Sequence, residues 1–132
     1  MISIDTNILL RYLLKDDPAL FPRALDIIAA NDCFVSRAAL TEVVYTLESY
    51  YRSSRAKIGR ALDALLSLQR VSIEDGAVTE RAVSWYKGGM DFGDAMIAAS
   101  SHGVARIDTF DRDFARFARK LRIAPPVQFA VK

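Results

Sequence analysis

Five short apolar runs punctuate the chain, and the stretches between them carry apolar residues at helical spacing. Met1–Ile4, Cys33–Ser36, Val71–Ile73, Ala105–Thr109 and Val127–Val131 are the runs, and each predicts a strand. The last is expected at an edge, since Pro125-Pro126 forbids helix just before it. Between the runs, Ile8–Leu14 predicts a helix capped by Asn7 or Thr6. It is apolar almost all round, with only Arg11 interrupting. A second helix follows the break at Asp16-Asp17-Pro18, with an apolar face of Leu20, Ala24, Ile27 and Ile28. Ala38–Tyr51 predicts an amphipathic helix with Leu40, Val43, Val44, Leu47 and Tyr51 as its core stripe. Ser53-Ser54 caps a helix over Lys57–Leu68, with Leu62, Leu65 and Leu66 inward. A helix over Asp75–Tyr86 closes at Lys87-Gly88-Gly89. Asp91 then opens a short helix whose Met96, Ile97, Ala98 and Ala99 suit burial, and Gly103 stops it. Asp111–Leu121 is the last predicted helix.

Strands alternating with helices argue for a parallel sheet covered on both faces. The expected architecture is three-layer α/β/α with a central, mainly parallel sheet of four to five strands and right-handed crossovers. Ala38–Leu68 reads as a two-helix excursion from that sheet. A chain of 132 residues without linker or repeat predicts a single domain over residues 1–132. Hydrophobic residues at 52% and charged residues at 26% are globular values. No apolar run approaches the roughly 18 residues of a membrane span, and the start lacks the features of a signal peptide. Cys33 is the one cysteine, which excludes an internal disulfide and a thiolate metal cluster. A cytoplasmic protein with no membrane partner is the expectation.

Net charge is only +2, from 18 basic and 16 acidic residues, so bulk charge does not by itself make a nucleic-acid binder. Placement says more. Arg52, Arg55, Lys57 and Arg60 form one basic cluster, and Arg112, Arg116, Arg119, Lys120 and Arg122 another. They read either as solvated helix faces or as a track for a phosphate backbone.

The acids gather at element ends. Asp91 and Asp94 lie three apart at a helix start and share a face. Asp5 follows the first strand, Glu42 sits near a helix start, and Asp111 and Asp113 follow the fourth strand. Each has an ordinary explanation as a cap or a dipole partner. Jointly they suggest more. In a doubly wound sheet these ends lie on one edge, where three or four carboxylates would converge. Clustered carboxylates repel and raise one another's pKa. A hard divalent cation removes that cost, and an oxygen-only donor set is what Mg²⁺ or Mn²⁺ prefers. Such a cation can activate water and stabilise charge on a phosphoryl oxygen.

DTNILL at the start, AALTEVVYTL in the middle, DFGDAMIAA, and DTFDRDF near the end resemble, in this order and spacing, the PIN-domain ribonucleases. The closest resemblance is to VapC-type toxins of bacterial toxin–antitoxin pairs, and it covers essentially the whole chain. It implies a PIN-like, Rossmann-like fold and makes Asp5, Glu42, Asp94 and Asp111 both the metal-binding quartet and the catalytic residues. Asp94 is preferred to Asp91 because the family's acid directly precedes the small-apolar helix run, here Asp94-Ala95-Met96-Ile97. Asp91 is then accessory. Asn7 and Thr109 match polar positions flanking the site. Asp111 and Asp113 compete for the fourth place, and Asp111, nearer the strand end, is preferred.

The resemblance implies hydrolysis of RNA phosphodiester bonds dependent on Mg²⁺ or Mn²⁺, leaving a 5′-phosphate and a 3′-hydroxyl. Its implied partners are the RNA substrate, a small VapB-like antitoxin and a second copy of the chain in a homodimer. The apolar surplus in ILLRYLL and in Phe21–Ile28 suits either a partner groove or ordinary core. No histidine is required; His102 reads as a charge partner for a helix C-terminus, and Cys33 as buried strand filler. Arg112 and Arg116 are the basic residues nearest the acids in sequence. Tyr45, Tyr50, Tyr51, Trp85 and Tyr86 would stack bases or, more simply, pack the core. An aspartate-nucleophile phosphatase is disfavoured by the amide of Asn7 where that chemistry wants an acid. A phosphate-receiver domain is disfavoured by Val71-Ser72-Ile73, which offers no aspartate. A non-catalytic PIN-fold module binding RNA or protein is the remaining alternative.

Overall fold

The computed structural model describes residues 1–131, which divide into two compact units, Met1–Gly76 and the segment from Ala77 on. The first unit carries β1 (Ile2–Ser3), α1 (Thr6–Leu14), α2 (Leu20–Ala30), β2 (Cys33–Val35), α3 (Arg37–Ser49), α4 (Arg55–Leu66) and β3 (Val71–Ile73). Its sheet is parallel, in the order β1-β2-β3, with Ile2 opposite Cys33 and Cys33 opposite Val71. β2 is central; its Cys33 and Val35, on one face, are fully buried, and Phe34, on the other, is half-buried. β1 is an edge, shorter than the Met1–Ile4 expected of it. Met1 and Ile2 are exposed, and Ile4 alone of that run enters the core, its N–H donating to the Phe34 carbonyl at 3.0 Å.

Helical spacing sets the first unit's core. Leu9 and Leu10 of α1, Leu40, Val43, Val44 and Leu47 of α3, and Ile58, Leu62 and Leu65 of α4 are buried. The start of α3 is fixed by Ser36, whose hydroxyl accepts from Ala39 N–H, and that of α4 by Ser54, which accepts from Lys57 N–H. Both helices begin earlier than their apolar patterns suggest, because a capped first turn needs no apolar residue. Tyr51 lies beyond α3, where its hydroxyl accepts from Arg11 at 2.7 Å. Leu20, expected on the buried face of α2, is instead exposed; only Ala24 and Ile28 of that face are fully covered.

The second unit carries α5 (Gly76–Lys87, begun at the boundary), α6 (Phe92–Ser100), β4 (Ile107–Thr109), α7 (Arg112–Leu121) and β5 (Val127–Phe129). β4 and β5 pair in parallel, Ile107 opposite Val127 and Thr109 opposite Phe129. The described strands form parallel ladders throughout, of three strands in the first unit and two in the second. Parallel pairing with helical crossovers makes this an α/β fold.

The stem of α6 is made for close approach. Ala95, Ala98 and Ala99 are wholly buried, in a cluster with Ala82, Met90, Phe114 and Ala118. Ile97, expected inside, is 53% exposed; small residues fill the buried stripe and leave its bulk outside. Just upstream, Gly89 takes φ +118° and lies against the Phe117 ring, so the chain turns sharply before Met90 is buried and Asp91 begins the helix. Ala98→Leu is expected to lose about 1–3 kcal/mol of stability through overpacking, measured by denaturant unfolding, whereas Ile97→Ala changes it by less than about 1.

Candidate functional site

Every predicted acid sits at the start of a helix or faces one that does. Asp5, not Asn7 or Thr6, caps α1, its Oδ1 accepting from Ile8 N–H at 3.1 Å. The cap residue must be extended while its side chain folds back, and Asp5 meets this at φ −93°, ψ 179°. Thr6, already in the helix, turns its hydroxyl outward and donates to Glu42 Oε2 at 2.7 Å. Glu42, one turn into α3, is thereby tied to the residue after Asp5. Asn7 is exposed in the first turn of α1.

The second unit repeats the device twice. Asp91 caps α6, its Oδ2 accepting from Asp94 N–H at 3.1 Å. A Cβ at Gly93 would lie 3.2 Å from that oxygen, so the small residue leaves the carboxylate room. Asp111 caps α7, its Oδ1 accepting from Asp113 N–H and Phe114 N–H at 2.9 and 3.3 Å. Thr109 orients it, Oγ1 accepting from Asp111 N–H at 3.0 Å. In each cap, and in Glu42, one carboxylate oxygen holds the scaffold and the other is left over.

Asp94 is different. It is half-buried, and its carboxyl pKa is pushed up from 3.8 to about 6 by burial first, then by the charges of Asp91 and Asp111. Asp91, Asp94 and Asp111 therefore form one electrostatically coupled group. Among the described residues, none of the three, nor Asp5 or Glu42, has a cationic side chain bonded to it. Asp113 does: Arg116, one turn on, donates to it at 2.9 Å.

Among the described residues no three acidic, histidine or cysteine side chains stand in ion-holding geometry as they are. The donor set nevertheless fits a hard divalent cation: all oxygen, all carboxylate, each with a spare oxygen, and one of them driven toward protonation for want of positive charge.

The aromatics divide. Tyr86 is buried core, packed edge-on against Phe92 at 5.6 Å. Tyr45 and Tyr50 are 69% and 78% exposed, so core packing does not account for them. Arg112 lies over the Phe129 ring at 4.6 Å and Arg116 is engaged with Asp113 and Phe117, so neither is an idle basic residue. Phe110, beside Asp111, is 79% exposed. Sequence reading missed it, although an aromatic set between Thr109 and Asp111 in a turn was a visible signal. It also missed Thr6 as the partner of Glu42, which no spacing rule across two helices reveals.

Parallel strands joined by helical crossovers define an α/β protein. The family description that matches residues 2–120 is the PIN domain, and the chain belongs to that family. PIN domains are generally nucleases, and those nucleases generally use divalent metals. No curated protein and no solved structure matches the chain significantly. No described helix is long and apolar enough to cross a membrane.

Proposed function

We propose that the chain is one PIN domain acting as a metal-dependent endoribonuclease, the VapC-type toxin of a toxin–antitoxin pair. Asp5, Glu42, Asp94 and Asp111 are its metal-binding and catalytic acids, Mg²⁺ or Mn²⁺ is its ion, and the cytoplasm is its place of action. The observation that carries the reading is the coupled, cation-free group of Asp91, Asp94 and Asp111, with Asp94 raised to about 6. Asp111 is favoured over Asp113 as the fourth acid because Asp113 is already neutralised by Arg116.

A bound divalent ion supplies Lewis acidity to a scissile phosphate and to an attacking water. The chain's residues do the rest. Asp5 and Asp111 are held by helix N–H groups through one oxygen, which fixes the aim of the other. Thr6 holds Glu42, and Thr109 holds the backbone of Asp111. Asp91 keeps the local field negative. The carboxylates alone repel a phosphodiester, so RNA approaches productively only when an ion offsets them.

A partner reading accompanies the enzyme. The first unit has an apolar groove of about 430 Å³ lined by Tyr12, Leu25, Ile28 and Leu68, and Leu20 and Leu25 stand exposed on α2. These features support an antitoxin or a second copy of the chain as occupant.

The test is cleavage of a defined RNA pool by protein freed of any bound partner, with Mg²⁺, with Mn²⁺ and with EDTA. Cutting with either metal, none with EDTA, and 5′-phosphate ends are expected. Cutting that persists in EDTA sinks the reading; RNA binding without cutting points to the non-catalytic module. Thr6→Val is expected to weaken Mn²⁺ binding roughly 10–100-fold, as loss of a ligand's orienting partner does. Calorimetric titration measures it, and unchanged affinity would remove Thr6 from the site.

A further inference from the structure

At the end of the second unit opposite the acids lies a cleft that the nuclease reading does not use. It has a volume of about 410 Å³, within the roughly 300–1,000 Å³ of small-ligand sites. Along α6 the rise to its C-terminal end is about 13 Å from Asp91 and about 9 Å from Asp94. Its walls are Arg81 and Trp85 of α5, His102 and Gly103 after α6, and Arg122 and Ile123 after α7, with Pro125 closing it; no acid lines it.

We propose that this cleft binds a nucleotide, the base against the Trp85 indole and the phosphate between Arg81 and Arg122. Trp85 is half-buried, packed on the Ala82 and Met90 cluster from one side and facing the cleft from the other. It has no aromatic or cation–π partner among the described residues. A flat indole held by the core with a surface open to a cleft is a stacking platform. Arg81 lies one turn before Trp85, so both project from the same face of α5.

Neither arginine has an acidic partner or a side-chain hydrogen bond among the described residues. Helix C-termini attract cations, which gives Arg122, the C-cap of α7, one ordinary role but gives Arg81 none. Arg81 is in the middle of α5, and the last turn of α7 already has Arg119 and Lys120. Two surplus guanidiniums beside an open ring, without an acid, select an anion that carries a planar group. A nucleoside phosphate has that chemistry, whether free in solution or as one unit of an RNA strand. The site stands on these residues alone and does not depend on the nuclease reading.

Trp85 is the chain's one tryptophan, so its fluorescence reports on the cleft directly. The experiment uses the full chain carrying Asp94→Asn, in EDTA, so that binding at the acidic site does not contribute. AMP is expected to quench Trp85 saturably. Inorganic phosphate, lacking a ring, is expected to compete with AMP without quenching. Arg81→Ala and Arg122→Ala are each expected to weaken AMP binding about 10-fold or more, with unchanged thermal unfolding, since both side chains are exposed. An oligoadenylate that binds more tightly than AMP, with the same dependence on both arginines, identifies the source as an RNA strand; binding of AMP alone identifies a free nucleotide. Absence of quenching by both, or quenching indifferent to both arginines, overturns the proposal.

Discussion

Asp94→Asn is expected to lower metal-dependent RNA cleavage by about 10³-fold or more, while the protein remains folded. Losing one preorganised electrostatic group at a reacting centre costs about 10²–10³ in rate. Losing a donor that holds an ion costs at least as much, because the charge that recruits the ion goes with it. The substitution is nearly isosteric and leaves the cap of α6 intact, because the Asp94 backbone N–H, not its side chain, donates to Asp91. Asp91→Asn is the informative contrast: an asparagine oxygen still caps the helix, so a loss of only about 10-fold is expected from its weaker field. Initial rates at saturating Mn²⁺, with circular dichroism as a check on folding, separate the two. An Asp94→Asn protein that cuts within about 10-fold of the parent would remove Asp94 from the centre of the reaction.

The same substitution is expected to stabilise the metal-free protein, in a pH-dependent way. The carboxyl of Asp94 is raised from 3.8 to about 6 in the folded protein by burial and by Asp91 and Asp111. The folded state therefore holds a proton at Asp94 more tightly than the unfolded chain does. Below pH 4 the group is protonated in both states and costs nothing. Between about pH 4 and 6 the unfolded chain ionises first, and stability falls as pH rises. Above pH 6 the loss is complete and constant. The displacement corresponds to about 3 kcal/mol, which solvent screening at a half-exposed carboxylate reduces to about 1–2 kcal/mol. In EDTA, Asp94→Asn is expected to exceed the parent by about that amount at pH 8 and to match it at pH 4. Urea unfolding at the two pH values measures it. Equal stability of the two proteins at pH 8 would show that Asp94 is not under the strain described.

Much of the fold was legible because period and punctuation agreed. Val71–Ile73 is a strand at the predicted residues, and α3 buries Leu40, Val43, Val44 and Leu47 as its spacing requires. What was not legible depends on partners distant in sequence. Alternation cannot say which strands are neighbours, such as β2 between β1 and β3. Hydrophobicity cannot say that Leu20 and Ile97 stay outside while alanines fill the interior. At the site, the acids were visible as residue types, while the cap of α1 stayed open between Asp5, Thr6 and Asn7 until the backbone placed it at Asp5. The competition between Asp111 and Asp113 had a usable clue: Arg116 stands three residues after Asp113, a spacing that favours an ion pair on a helix. Aromatic residues were the least legible, since Tyr86 and Tyr45 look alike in sequence, yet one is core and the other is 69% exposed.

Three of the acids also hold the starts of α1, α6 and α7. A small zinc domain collapses when its ion is removed, because ligands and fold are one and the same. Here the hydrogen bonds that fix these three carboxylates come from backbone N–H groups and need no ion to form. Chelation is thus expected to leave the fold standing, with circular dichroism in EDTA as the measurement. On the nuclease reading proposed above, the protein is expected to stay folded while its ion is withheld and to regain cleavage when the ion is restored.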